Sequence, residues 1–320
     1  RSEVHPLLGY AVAGSALLWE NHLDTARLPA YADHAVGGAA VFSAAAFAEM
    51  ALATGAQWDP SASMDVEDME IHAPLLLAKD RSKTTRLQID ATDGRFTVCS
   101  RERLSSDPWT THPSGRLVRC PAPGSLPPLR LPDSPADVTA QRHYDLANEL
   151  GLQYGPAFRS VSEFWFSQGS VVARLTTPPQ VPLENGRAAL DPVSLDGAFQ
   201  LLIGLLLAEE SVRVGASSGA SASGLRAESV APGLTAYLPV RIDRLQVLGA
   251  QPRVAAARAT LLRRTARSIV ADFGLYDANG HAVAFAHNVR FRAAPIKRRS
   301  TEAARMLAMR AVPMPRRWGA

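Results

Sequence analysis

Tyr31–Gly55 reads YADHAVGGAAVFSAAAFAEMALATG. The run after Ser43 sets Phe47, Met50 and Leu52 among alanines, a composition suited to a helix buried around most of its circumference, with Ser43 capping its first turn. Gly37 and Gly38 come just before and predict a sharp turn. A glycine turn leading into a helix N-terminus offers N–H groups and the positive dipole end to an electron-rich ligand atom. His34 precedes that turn. Taken alone, it reads either as a hydrogen-bonded core histidine or as a base.

Outward from this stretch, the chain of 320 residues is long enough to bury a substantial core, and its 47% hydrophobic content is ordinary for a globular protein. An uncharged apolar run of about 18 residues is missing, and RSEVHPLLGY lacks the pattern of a signal peptide. A soluble, cytoplasmic protein is the expectation. Cys99 and Cys120 form neither a C-x-x-C pair nor a metal-like pattern with histidine, so reduced structural thiols and no metal are expected. Residues 296–320 hold Lys297, Arg298, Arg299, Arg305, Arg310, Arg316 and Arg317 against Glu302, which leaves 27 of the 34 basic and 29 of the 30 acidic residues elsewhere. The excess positive charge therefore belongs to a tail, read as a solvated linker, and nucleic-acid binding is not expected.

Residues 5–30 are compatible with short strands, and Asp65–Val118 alternates strand-like runs with turns at Asp93-Gly94 and Ser114-Gly115, which predicts an antiparallel meander. PAPGSLPPLRLPDSP at Pro121–Pro135 excludes regular helix and central strand. The expected organisation is an N-terminal half over 1–120, a Pro-rich connection over 121–138, a C-terminal half over 139–295 and the basic tail over 296–320. Within the second half a short helix is predicted near Ala140–Leu150, and a long apolar helix from about Ser194 with Asp196 in its first turn and Gln200 four residues on, on the same face. The Ser/Gly/Ala-rich 211–235 reads as a surface excursion, and four strand-like runs follow, with Asn279-Gly280 as a hairpin turn. Each half thus has a lead-in, one buried helix and several antiparallel strands. Packed as a pseudo-dimer, the halves would bring an imidazole and a carboxyl group to opposite sides of a shared tunnel, a base and an acid at once.

Six motifs make this pattern specific: HPLLG at His5–Gly9; His34 to Ser43 with His34 and Gly38 at the positions of an HxxxGxxxxP motif; WTTHPSG at Trp109–Gly115; LQYGPAF at Leu152–Phe158; LDGAFQ at Leu195–Gln200; and YLPVRIDRL at Tyr237–Leu245. In this order they resemble the dehydratase domain of modular type I polyketide synthases over nearly the whole chain. That resemblance implies an α+β double-hotdog fold, with two antiparallel sheets each wrapped around a long central helix. It further implies elimination of water from a β-hydroxyacyl thioester carried on the phosphopantetheine arm of an acyl carrier protein. His34 would be the base and Asp196 the acid. Gly38 and the following helix N-terminus would supply N–H donors to the thioester oxygen, Gln200 would orient Asp196, Tyr154 would lie near the leaving hydroxyl, and Gly155 and Pro156 would shape their loop. His5 and His112 read as structural. No metal or other cofactor is implied; neighbouring synthase domains and a second copy of the chain are the further partners, and Arg159, Arg174 or the tail are the candidate cations for the carrier's acidic surface.

Two positions depart from the pattern. Ser43 stands where the first motif ends in proline, and Asp191 where many relatives carry histidine. Relatives that shift double bonds or close pyran rings also depart from these motifs, so a dehydratase-like isomerase or cyclase is the alternative, with an inactive structural spacer as the third reading.

Overall fold

The computed structural model describes residues 2–15, 17–120, 126–167, 169–178, 188–218, 235–249 and 253–296. The basic tail beyond residue 296 and most of the Ser/Gly/Ala-rich excursion lie outside them.

The first half contains β1 (Tyr10–Ala11), β2 (Leu18–Leu23), β3 (His34–Val36), β4 (Ala39–Ala40), α1 (Ala44–Trp58), β5 (Met64–Ile71), β6 (Lys83–Ile89), β7 (Arg95–Glu102) and β8 (Thr110–Arg119). The second contains β9 (Val138–Thr139), α2 (Ala140–Glu149), β10 (Leu152–Tyr154), β11 (Val161–Ser167), β12 (Ser170–Leu175), α3 (Pro192–Ser218), β13 (Ala236–Val247), β14 (Ala256–Arg264), β15 (Ser268–Tyr276) and β16 (Ala282–Ala294). Among the described residues, thirteen strands form one antiparallel sheet in the order β1-β2-β6-β7-β8-β5-β13-β16-β15-β14-β12-β11-β9. β5 and β8 pack on α1, β11, β12, β14 and β15 pack on α3, and the two helices pack on each other. This is a double hotdog, two helix-wrapping sheets joined edge to edge.

The joint is made by the strand that follows each central helix. β5 and β13 pair antiparallel with Arg241 opposite Glu70 and Arg244 opposite Glu67. Arg244 Nη2 reaches Asp65 Oδ2 at 2.6 Å, and Arg241 Nη2 reaches Asp68 Oδ1 at 2.5 Å. The acidic run of β5 and the basic run of β13 are therefore complementary cross-strand partners. Because β5 is drawn to this joint it pairs with β8 and not with β6, which corrects the simple meander.

Other expectations are adjusted for local reasons. Gly94, at φ +75°, makes the β6–β7 turn, but Ser114-Gly115 lies inside β8, where a Cβ on Gly115 would come within 2.9 Å of the Phe96 ring. The Pro-rich connection is docked on the sheet from Leu126 onward: Leu129 is buried beside Trp165 and Tyr276, and its N–H donates to the Gly280 carbonyl. α3 starts at Pro192, two residues before Ser194, because Asp191 accepts from the amides of Val193 and Ser194 and from the Ser194 hydroxyl. Asp196 therefore sits beyond the first turn. The helix also continues through Ser218, into residues read from composition as an excursion.

Candidate active site

His34 and Asp196 come together although 162 positions separate them in the chain. His34 Nε2 is 3.4 Å from Asp196 Oδ1, with side-chain exposures of 12% and 8%. They are in direct contact instead of facing one another across a gap. Nδ1 of His34 lies 2.7 Å from the Val41 carbonyl oxygen. A carbonyl only accepts, so Nδ1 carries a proton and donates it, and in the neutral ring Nε2 is the free lone pair aimed at the carboxyl group. Burial opposes charge on His34, but the Asp196 carboxylate and the Val41 carbonyl more than offset it and raise its pKa above the ordinary value.

The glycine turn corrects one expectation. Gly37 and Gly38, at φ +60° and +86°, turn β3 into β4, and β4 intervenes before α1 begins. The turn is tied to the other half of the molecule: the Gly37 amide donates to the Gly151 carbonyl, and the Gly38 amide donates to Gln153 Oε1 at 3.0 Å. Gly38 therefore serves a protein acceptor here. Ser43 caps α1 by accepting from the Ala46 amide at 3.1 Å and is itself buried.

The LQYGPAF stretch reaches across from the second half to build the other wall. β10 joins β3 and β4 in a three-stranded sheet with Tyr154 opposite His34, and their ring centroids are 5.8 Å apart. Burial, then the charge of Asp196 and the neighbouring Tyr144, hold the Tyr154 phenol well above its ordinary pKa, so it stays a proton-bearing donor. Gly155 is required by space: a Cβ there would lie 2.2 Å from Asp33 Oδ1. Asp33, adjacent to His34, accepts from the amides of Gly155 and Ala157 and so clamps the loop to the start of β3. Pro156 opens a short 3-10 turn, Pro156–Phe158. Phe158 is fully buried, places its ring 5.1 Å from the imidazole, and offers its carbonyl to Gln200 Nε2 at 3.0 Å.

Gln200, one turn after Asp196, donates from the same nitrogen to Asp196 Oδ2 at 3.0 Å. Asp33, Gln153 and His143, which approaches Gln200, are given no role by the sequence; the positions of Asp33 next to His34 and of Gln153 within LQYGPAF are the only hints of their parts. His5 and His112 lie elsewhere. His5 contacts the buried Glu49 at 3.2 Å, while His112 is bonded to Ser100 and the Ala73 carbonyl and is pushed by burial down to about 4. Arg174 is paired with Glu163, and Arg159 donates to the Tyr154 carbonyl. No helix among the described residues is long and apolar enough to cross a membrane.

A family model described as "Polyketide synthase dehydratase domain" matches residues 5–101, and one described as "Polyketide synthase dehydratase N-terminal domain" matches residues 122–216 and 228–301. The chain is 31% identical over 208 residues to polyketide synthase GfsE of Streptomyces halstedii, covering 61% of this chain and 5% of that protein. It is 26% identical over 303 residues to a highly reducing polyketide synthase of Pyrenophora dematioidea, covering 87% of this chain and 11% of that protein. The chain thus spans a small fraction of the length of these curated relatives. Its structure is similar to that of the PpsC dehydratase domain from Mycobacterium tuberculosis in complex with C12:1-CoA, at TM-score 0.69 and 26% identity, covering 91% of this chain and 99% of that chain.

Proposed function

The chain belongs to the polyketide synthase dehydratase family, and on that premise we propose that it removes water from a β-hydroxyacyl thioester to leave an α,β-unsaturated thioester, with His34 as base and Asp196 as acid. The observation that carries this reading is the 3.4 Å contact between His34 Nε2 and Asp196 Oδ1, combined with the Val41 carbonyl that fixes the imidazole tautomer. The free Nε2 takes the α-proton, the Cα–H electrons form the double bond, and the Cβ–O bond breaks as Asp196 Oδ1 protonates the departing hydroxyl. The pair is then imidazolium and carboxylate. One proton transfer across the contact restores imidazole and carboxylic acid without any exchange with solvent.

Tyr154 is the proposed donor to the leaving hydroxyl, since it lies opposite His34 with its phenol protonated. Gln200 steadies the carboxylate that forms on Asp196. For Gly38 to serve the thioester oxygen, Gln153 must release its amide, so the proposed oxyanion role involves an exchange of acceptors at that N–H. The elimination needs only an acid and a base, so the chemistry calls for no cofactor beyond the phosphopantetheine arm that would present the substrate. An acyl carrier protein delivering it, and a homodimer within the synthase, complete the proposal.

The test offers the protein a β-hydroxyacyl thioester on a carrier protein and, separately, the matching enoyl thioester, followed by intact mass and NMR. Water loss from the first supports the dehydratase. A migrated double bond or new ring at unchanged mass identifies the isomerase or cyclase, and inertness toward both identifies a spacer. Asp196→Asn is expected to abolish water loss while the protein stays folded; retained dehydration in that variant removes Asp196 as the acid.

A further inference from the structure

Behind Asp196 lies a hydrogen-bonded layer that the acid–base reading leaves unused. The Gln200 amide nitrogen donates to Asp196 Oδ2 and to the Phe158 carbonyl, both at 3.0 Å, which uses both of its N–H groups. Its other end, Oε1, lies 3.4 Å from Nε2 of His143 on α2. His143 is buried, with the Tyr144 and Phe164 rings each 4.7 Å away. Burial, against the pull of Gln200, holds this imidazole neutral with its pKa lowered to about 4. A neutral ring nitrogen facing a carbonyl oxygen must be the N–H one, so donors run in one direction from His143 to Gln200 to Asp196. Turning the Gln200 amide over would set its oxygen against a carbonyl and a carboxylate, two acceptors, and its NH2 against the His143 N–H.

We propose that His143 is a positioning residue for the dehydration: by fixing the direction of the Gln200 amide it commits Asp196 Oδ2 to a hydrogen bond and leaves Oδ1, the oxygen facing His34, to carry the transferable proton. This rests on Asp196 being the acid. When the Oδ1–H bond breaks and its proton joins the departing hydroxyl, the carboxylate left behind already holds a donor on Oδ2. Without the His143 N–H, only the Phe158 carbonyl still opposes a Gln200 oxygen turned toward a protonated Oδ2, and a proton placed on Oδ2 would point away from His34 and the reacting carbons.

The other groups that sense the charge of Asp196 are His34 on β3, Tyr154 on β10, Tyr144 on α2 and Tyr31 before β3. All three tyrosine pKa values are raised, so near neutrality the limbs of a pH–rate profile belong to the His34–Asp196 pair. The first measurement uses the whole chain labelled with 15N at histidine. His143 as the Nε2–H tautomer, without titration between about pH 5 and 8, supports the proposal; the Nδ1–H tautomer overturns it. The second uses His143→Phe, which keeps a ring but lacks the donor. Its kcat on the β-hydroxyacyl thioester is expected to fall roughly 10- to 100-fold, as for a misplaced catalytic group, with KM within about twofold. The acid limb of the His34–Asp196 pair should move to higher pH, because the deprotonated pair has lost a donor. His143→Gln, which can place an amide N–H where Nε2 stood, should restore both kcat and the limb. A cooperatively melting His143→Phe with wild-type kcat and profile overturns the proposal, as does a His143→Gln no better than it. Failure of Asp196→Asn to stop dehydration would instead remove the acid assignment itself, whatever His143 does.

Discussion

Because His34 Nε2 and Asp196 Oδ1 are 3.4 Å apart, the two groups gain and lose protons as a pair. The working form holds one proton between them beyond the one on Nδ1, written either as imidazole and carboxylic acid or as imidazolium and carboxylate. His34 is raised above its ordinary 6.5 by Asp196 and Val41 despite burial, so loss of that shared proton falls above pH 6.5. The expected kcat/KM therefore declines as pH rises through that step, when no proton remains for the leaving hydroxyl. It also declines on the acid side, when His34 can no longer accept. A pH–rate profile that keeps rising through the alkaline side contradicts Asp196 as acid. Gly155 gives a second prediction: its missing Cβ would stand 2.2 Å from Asp33 Oδ1, so Gly155→Ala must push the loop off Asp33. Overpacking of this kind costs about 1–3 kcal/mol, to be read from chemical denaturation, and it should lower kcat by moving Tyr154. Wild-type stability and rate in that variant would show the clamp to be dispensable. The motif glycine was legible in the sequence, but the carboxylate that demands it was not.

α1 is the element in which the missing motif proline sits, and its start explains why serine serves there. Ser43 adopts φ −71°, which is the value a proline ring imposes, and its hydroxyl caps the Ala46 amide. The rigidity that the motif proline would supply is thus matched in direction by a cap. Ser43→Ala is expected to destabilise the protein by about 1 kcal/mol through loss of that cap. Ser43→Pro loses the same cap but restricts the unfolded chain by about 0.4–1 kcal/mol in compensation. Thermal melts should therefore place Ser43→Pro between Ser43→Ala and the wild type or level with the latter, with the reaction catalysed unchanged. A switch from isomerisation or cyclisation to dehydration in Ser43→Pro would show that serine itself chooses the chemistry. The apolar composition located α1 and α3, while the start of α3 was misplaced by two residues because Asp191, read only as a departure from a motif, is its cap.

Across the molecule, the halves are joined by a continuous sheet and by buried carboxylates, Asp65 at the β5–β13 joint and Glu49 between the helices. Glu49 on α1 is 1% exposed, contacts His5, and accepts from the amides of Ala189 and Leu190 just before α3. Glu49→Gln sets an NH2 group against one of these amides and strands it, at a cost of about 1–3 kcal/mol. Denaturant unfolding of that variant should remain a single transition at lower midpoint, because β5 and β13 share one ladder and α1 packs on α3. Two separated transitions would mean that the halves are independent units.

The sequence by itself determined what local chemistry can encode: a buried helix after Ser43, the long strands though not the short β3, β4 and β10, the turns at Gly94 and Gly280, and a set of motif residues that resemble those of the family. It also named His34 and Asp196, the proposed base and acid. The tertiary structure alone decided how they meet, since a cross-chain approach of 3.4 Å follows from β10 crossing to β3 and from α3 packing on α1, not from any spacing along the chain. For the same reason Asp33, Gln153 and His143 stayed hidden. Each acts through a hydrogen bond to a residue more than 50 positions away, and such a bond exists only once the hydrophobic packing of both halves has fixed the backbones that carry its two ends.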